Sequence, residues 1–449
     1  MTYDIARKRY YSSYFSLAVS SLLAGGILLF HKNIQNIVTV ILVTSLLRLF
    51  VMLFSHFYYG ALEWSFRNLR DFVAVFKFKS KIAPETASKN ILILNWRDTR
   101  HRFAGGAEVY IHELAKRWVA AGHNVTVFCG NDGHCPRYEI MDGVEIVRRG
   151  GFYFVYIWAL LYYLVKFRGK YHTIIDCENG IPFFTPLYSR AKKYLLIHHV
   201  HQNVFMKSLR PPFSWLAVFL EAKAMPWAYR STEIITVSPS SKKEIMDHKL
   251  TNREPVVIFN GVDVKRYKPG IKSKKPTILY VGRLKMYKSL HVLVNSAIAI
   301  LKELPDASFI IAGDGEEKGK LMKLVVRLGL ADKFTFMGKV SEEEKIRLYQ
   351  EAWLFVNPSY MEGWGITSIE ANACGTPVVA SNVPGLRDSV RNPSTGILVE
   401  YGNVEKFANE ITRILKDTKF RKKLSTNAVE WANRFRWENS AEASLKLFI

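Results

Sequence analysis

Cysteine is scarce. Four residues in 449 form no disulfide framework, and no C-x-x-C pair marks a zinc site, so the chain reads as a reduced, cytosol-facing protein. Glycine and proline are not in excess, and there is neither a low-complexity tract nor a short-period internal repeat. With 49% hydrophobic and 23% charged residues, disorder is excluded as well. Acids are in short supply, 39 against 63 lysines and arginines, which leaves a formal net charge of +24. That balance points to anionic partners: nucleic acid, phosphate-bearing small molecules or a membrane surface. Nucleic acid is not expected, because no zinc-finger ligand pattern or RNP-like aromatic motif occurs and many basic residues flank apolar segments.

The length is about three domains' worth of chain. Charge is missing altogether from Tyr10 to Phe30, a run long enough to cross a hydrocarbon core as a helix. After only His31 to Asn33 a second apolar run extends from Ile34 to about Tyr59, broken by Arg48. The short link predicts a transmembrane hairpin over residues 1–65, with helices at about 10–30 and 34–59. A signal peptide fits less well, since no small-x-small cleavage site precedes the second run. Arg7, Lys8 and Arg9 precede the pair, and Arg67, Arg70, Lys77, Lys79 and Lys81 follow it, whereas the link holds only Lys32. The positive-inside rule then predicts a multi-pass cell-membrane protein with its catalytic domains in the cytoplasm. Arg48 sits in the cytoplasmic half of its run, where its side chain can snorkel to the headgroups.

Beyond a basic linker at 66–89, strand and helix patterns alternate. Short strands are predicted at Asn90–Asn95, Val125–Phe128, Thr173–Cys177, Tyr194–Val200, Glu233–Ser238 and Val256–Phe259, with a helix over Glu108–Ala121. A second series comes after the Lys- and Pro-rich segment Lys268–Pro276: Thr277–Val281, Ser308–Ala312, Phe334–Met337, Leu354–Asn357 and Pro377–Ser381. A helix opens at Ser341-Glu-Glu-Glu344, a capping-box spacing. The fold class expected is α/β: two Rossmann-like, doubly wound domains facing across a cleft, at 90–268 and 269–430, and a closing helix at 431–449. In such sheets ligands sit beyond the carboxyl ends of the strands.

Four features fall at those strand ends. Gly105-Gly106-Ala107-Glu108 lets backbone approach a ligand and opens a helix whose first N–H groups suit an anion. Gly282-Arg283-Leu284 with Lys288 offers a planar fork and a point charge to a diphosphate. Glu362-Gly363-Trp364-Gly365-Ile366-Thr367-Ser368-Ile369-Glu370 places one carboxylate on a tight loop and another in the following helix, where they suit two sets of sugar hydroxyls. His198-His199-Val200-His201-Gln202 raises zinc, but strand alternation splits the histidines, His199 and His201 on one face and His198 on the other, and no nearby Cys or acid completes a set. His201, last on the strand, is the histidine expected at the cleft.

Taken together these residues resemble the retaining glycosyltransferases of family 4, of the GT-B architecture and the membrane-anchored bacterial or archaeal type. The resemblance runs from about Asn90 to the C-terminus and adds Val237-Ser238, Asn260-Gly261-Val262-Asp263 and Gly313-Asp314-Gly315. Phe435-Arg436-Trp437-Glu438 resembles the helix that crosses back to the N-terminal domain in this family. The resemblance implies donor phosphates at Gly105, Gly106 and Gly282, and a leaving diphosphate neutralised by Arg283 and Lys288. It implies the ribose on Glu370, the transferring sugar on Glu362, His201 near the reacting carbon, and Gly363, Gly365 and the N–H groups of Ile366 and Thr367 beside the phosphate, with Asn260 in the binding set. Ser289 stands where glycine usually follows the lysine, which leaves Lys285 as an alternative to Lys288, and Trp364 replaces the usual Phe. No Asp-x-Asp motif occurs, so transfer without a metal or other cofactor is expected.

The function expected is therefore transfer of a sugar from a nucleotide-sugar donor to a lipid-linked or membrane-proximal glycan acceptor, with retention of configuration. An epimerase of the same fold and a catalytically dead membrane scaffold are the alternatives. Two aromatic stretches, Phe152–Phe167 and Pro211–Tyr229, either line an acceptor path or pack as ordinary amphipathic helices.

Overall fold

The structure is a computed structural model that describes residues 44–45 and 89–448. The chain separates into Met1–Lys79 and Ser80–Ile449, and both β-sheets lie in the second unit. The expected hairpin of residues 1–65 falls outside the described residues but for Thr44 and Ser45, which are helical. No helix among the described residues is long and apolar enough to cross a membrane.

The first sheet has eight strands: β1 (Asn90–Leu94), β2 (Asn124–Cys129), β3 (Tyr138–Met141), β4 (Val144–Arg148), β5 (Thr173–Glu178), β6 (Lys192–Ile197), β7 (Glu233–Thr236) and β8 (Val256–Val257). Their order is β3-β4-β2-β1-β5-β6-β7-β8, parallel except for the β3–β4 hairpin. The second sheet has six: β9 (Thr277–Val281), β10 (Ser308–Ala312), β11 (Phe334–Gly338), β12 (Leu354–Asn357), β13 (Val378–Ser381) and β14 (Gly396–Val399), all parallel in the order β11-β10-β9-β12-β13-β14. The central strands read as unbroken apolar runs because helices cover both faces: Ile91, Leu92, Ile93 and Leu94 are all fully buried. In each sheet the strand order reverses about the first strand, β1 or β9. Ligands bind at such switch points, so the loops after Leu94 and after Val281 are where the fold puts a site.

Three sequence expectations change. The strand expected to reach Val200 stops at Ile197, because its neighbours end there: Ile197 pairs with Glu178 on one side and Thr236 on the other. His198 to His201 therefore turn away, with the His198 carbonyl accepting from Ser241 Oγ at 2.8 Å. The β3–β4 hairpin and the edge strand β14 are not among the expected strands. Asp142-Gly143, both at positive φ, make the hairpin's two-residue turn. The first helix begins at Gly106 rather than Glu108, since Glu108 Oε2 accepts the Gly105 N–H at 2.6 Å and closes the first turn.

The last helix, Trp437–Phe448, ties the C-terminus to the first sheet. Trp118 donates its indole N–H to Ser444 Oγ at 2.9 Å, and Phe448 packs its ring 5.2 Å from Trp118 and 4.9 Å from Tyr194. Gly261 makes the return possible: a Cβ there would collide with the Trp437 backbone nitrogen.

Ser289 shows why glycine suits its position. It sits at φ 51°, ψ 36°, in the left-handed region, ending the 3₁₀ turn Met286–Lys288. Left-handed geometry costs a side-chain-bearing residue about 1–2 kcal/mol. Ser289 offsets part of that with a 3.1 Å hydrogen bond to the Tyr401 hydroxyl, worth about 1 kcal/mol. Two substitutions separate these contributions. Ser289→Ala keeps the strain and loses the bond, so its unfolding midpoint falls; Ser289→Gly loses both and stays near wild type. The usual ranking of alanine above glycine is thus reversed, and thermal unfolding of the pair checks it.

Candidate active site

The loops at the two switch points touch. A Cβ on Gly105 would stand 3.2 Å from Arg283 Cζ, and one on Gly106 3.8 Å from Ile366 Cγ2, so the first helix of one half meets the second half's guanidinium and helix start. Glu108 fixes that helix start from below, held by Arg97 Nη2 at 3.0 Å while it takes the Gly105 N–H. Arg283 donates to the Tyr287 hydroxyl at 2.9 Å. Lys288 Nζ hydrogen-bonds Glu362 Oε1, which also accepts from Ser359 Oγ at 3.1 Å. Lys285 turns elsewhere, to Glu316 at 2.7 Å, so Lys288 is the lysine that the fold pairs with Glu362.

Gly363 continues the same contact. A Cβ there would be 2.9 Å from the His198 carbonyl and 3.8 Å from His199 Nδ1. Gly365, at φ +83°, caps the helix Ile366–Ala373, leaving the Ile366 and Thr367 N–H groups in its first turn. Two helix N-termini, a guanidinium and an ammonium thus gather at one place, the arrangement that attracts a diphosphate. Gly282 donates its N–H to Ala312 O at 3.0 Å and lies against the Gly313 backbone. Asn260 is buried, next to Phe259, whose ring lies 5.1 Å from that of Trp364 in the Glu362–Gly365 loop, and Gly261, which abuts Trp437.

Glu370 is buried among donors that no motif announces. Tyr349 donates to Oε2 at 3.0 Å and Lys345 to Oε1 at 3.0 Å, while the Tyr267 hydroxyl, which gives its proton to Glu342 Oε1, lies 3.3 Å from Glu370 Oε1. Burial alone would lower the Lys345 pKa, but Glu370 and Glu342 outweigh it and hold it above the ordinary value.

His201 is the N-cap of the helix Gln202–Ser208, not the end of a strand. Its ring lies 4.1 Å from that of His199, whereas the His198 ring meets Tyr110 edge-on at 5.3 Å, so the three do part company. The expectation that no acid stands near them is overturned. Glu178, at the end of β5, and Glu221, both fully buried, bring Oε1 atoms to 3.4 and 3.5 Å from His201 Nδ1. Glu221 also accepts the His201 backbone N–H at 2.7 Å. One nitrogen and two oxygens lie within 4.8 Å of one another, a set that is able to hold either a proton or a cation. Both acids had a signal in the sequence: Glu178 ends a strand at the carboxyl edge, and Glu221 is the one acid between Gln202 and Thr232.

Charge separates the three histidines. Burial, helped by the His201 charge, holds His198 down at about 3 and His199 well below the usual range, with Lys288 and Arg283 adding to the latter. Burial would lower His201 too, but the charge and hydrogen bonding of Glu178 and then Glu221 carry it up to about 10. His201 is therefore an imidazolium at neutral pH.

Comparison with known proteins fits this geometry. Residues 104–266 match the family model "Glycosyltransferase Family 4", and residues 262–431 match "Glycosyl transferases group 1". An uncharacterized glycosyltransferase of Methanocaldococcus jannaschii is 27% identical over 380 residues, 77% of this chain and 95% of its own length. A D-inositol 3-phosphate glycosyltransferase of Streptomyces bingchenggensis is 28% identical over 387 residues, 77% of this chain and 84% of its own. Among solved structures, sucrose-phosphate synthase from Thermosynechococcus elongatus superposes with a TM-score of 0.69 at 23% identity, over 80% of this chain and 98% of that one. Anabaena HepE, solved with UDP and glucose, gives 0.62 at 20% identity, over 80% and 99%.

A histidine whose folded pKa is raised stabilises the fold fully below its unfolded value near 6.5 and loses that contribution as pH climbs through about 10. Wild-type thermal stability should thus fall across pH 7 to 10 by more than that of His201→Gln. Parallel slopes for the two proteins would show that His201 does not hold the proton.

Proposed function

We propose that the chain, whose residues 104–266 and 262–431 match two glycosyltransferase family models, moves a sugar from a nucleotide-sugar donor to a lipid-linked or membrane-proximal glycan, with retention of configuration and without a metal. The observation that carries the reading is the meeting of Gly105 and Gly106 with Arg283, Lys288 and Glu362 beside the charged His201.

When the sugar leaves, negative charge builds on the departing diphosphate. Arg283, Lys288 and the helix starts at Gly106 and Ile366 form a preorganised positive pole for it, and such fixed charge lowers the barrier most when water is excluded. Lys288 and Glu362 neutralise each other until the donor arrives; a diphosphate then takes the ammonium, and the freed carboxylate accepts from the sugar hydroxyls. Glu370, held still by Tyr349 and Lys345, receives the ribose. His201 carries a proton and so donates a hydrogen bond near the reacting carbon rather than removing a proton from the acceptor. That same proton offsets one of the two buried carboxylate charges of Glu178 and Glu221, which is the support for reading the site without a metal. The lipid side of the reading is supported by the uncharged runs at 10–30 and 34–59 and by the cations flanking them, which favour a multi-pass chain with its catalytic unit in the cytoplasm.

Detergent-solubilised protein, given a panel of UDP-, GDP- and ADP-sugars, should release one nucleotide in a manner that depends on added membrane lipid extract and survives chelator. Glu362→Gln keeps the shape and loses the charge, and should cost about a hundredfold or more in turnover. Release that chelator abolishes would sink the metal-free mechanism, and release indifferent to lipid would sink the acceptor.

A further inference from the structure

Within the segment from Gln202 to Thr232, the helix Phe213–Phe219 is built inside out. In the helix Phe213–Phe219 the inward residues are Ser214 and Ala217, 1% and 4% exposed, followed by the fully buried Glu221. Phe213, Trp215, Leu216 and Phe219 stand outward at 69%, 61%, 54% and 57% exposure. Met206 before them and Trp227 after them are exposed to 54% and 62%. In the other aromatic stretch Trp158, Tyr162 and Phe167 are packed into the core, and the large apolar side chains left exposed among the described residues are the aliphatic Ile157, Leu164 and Val165. A helix whose large apolar side chains face outward and whose small and polar ones face inward has an apolar partner on its outer side.

Charge identifies the partner. Between Gln202 and Thr232 the one acid, Glu221, is buried, while Arg210, Lys223 and Arg230 are exposed. Exposed tryptophan and phenylalanine that share their segment with three exposed cations, and with no exposed acid, suit the headgroup–acyl boundary of an anionic bilayer. A second copy of this chain would set like charge against like.

The face is also leashed to the site at both ends. The helix Gln202–Ser208 starts from His201, with Phe205 stacked 5.8 Å from the imidazole, and Glu221 returns to the His201 backbone N–H at 2.7 Å. We infer that the outward face of residues 202–230 seats on an anionic membrane surface and holds His201 at the bilayer. Its consequence for catalysis rests on the lipid-acceptor reading; the membrane contact itself does not.

The test uses the full chain in lipid nanodiscs containing brominated phosphatidylcholine, with or without phosphatidylglycerol. Tryptophan emission is compared between wild type and Trp215→Phe/Trp227→Phe. The variant should lose part of the lipid-quenched signal, and in wild type that part should grow with phosphatidylglycerol and shrink with salt. An equal quenched signal in the two proteins would overturn the proposal and point to another cover, such as residues 1–79 or a second copy. In a second variant, Phe213→Ser/Phe219→Ser, Trp215 and Trp227 should escape quenching and transfer to lipid extract should drop about tenfold, with nucleotide binding intact as the sign of a folded protein. Unchanged quenching and transfer there would also overturn it. Because quenching is read without any sugar, the two readings fail separately. Quenched tryptophans with lipid-independent transfer would remove the acceptor reading alone, and unquenched tryptophans with lipid-dependent transfer would remove the surface alone.

Discussion

The absence of a side chain at Gly105 lets the backbone of one half reach the Arg283 guanidinium of the other at their switch points. An added Cβ would stand 3.2 Å from Arg283 Cζ, so the exposed guanidinium would have to give way by a few tenths of an ångström. Gly363 beside the His198 carbonyl repeats the arrangement, so two glycines let backbone from one half reach the other, while Gly106 faces Ile366 at ordinary contact distance. The turn leading into the last helix reinforces it from behind, since its Phe435 forms one aromatic cluster with Trp364 and Phe259, shared by both halves. A positive pole made this way is fixed before any ligand arrives, which is what preorganisation requires.

Around that pole the carboxylates are individually managed. Glu108 is spent on a helix cap, Glu362 on Lys288, and Glu370 on a tyrosine and a lysine. Glu178 and Glu221 face a single imidazole, whose proton is retained well above neutrality. Burying two acids without that proton would be costly. The same pair of contacts anchors the apolar segment that follows His201, so the charge state of one histidine and the placement of an outward-facing helix are linked through Glu221.

Much of this was legible beforehand. The parallel strands stood out as apolar runs, and the glycine-rich loops with their basic and acidic partners marked the strand ends. What escaped had physical reasons. In the β3–β4 hairpin the edge strand β3 is only half-buried and its alternation is masked by Tyr138 and Glu139, although Asp142-Gly143 signals the turn. Tyr267, Tyr349 and Lys345 come together on Glu370 only through packing, from separate positions with no shared motif. Glu178 and Glu221 are 43 positions apart in the chain, and only the turn of the chain after Ile197 brings them to one ring. The inverted helix at Phe213–Phe219 reads as an ordinary amphipathic stretch until one sees which side is buried.

The claim at the centre is that Arg283 and its neighbours form a diphosphate site. Calorimetric titration of the solubilised full chain with UDP, GDP and ADP addresses it directly, beside Arg283→Met, which alters an exposed side chain and leaves the fold alone. The account predicts that one nucleoside diphosphate binds, that its affinity drops steeply with ionic strength, and that the variant binds it about tenfold or more weakly. Equal affinity in the two proteins would contradict it.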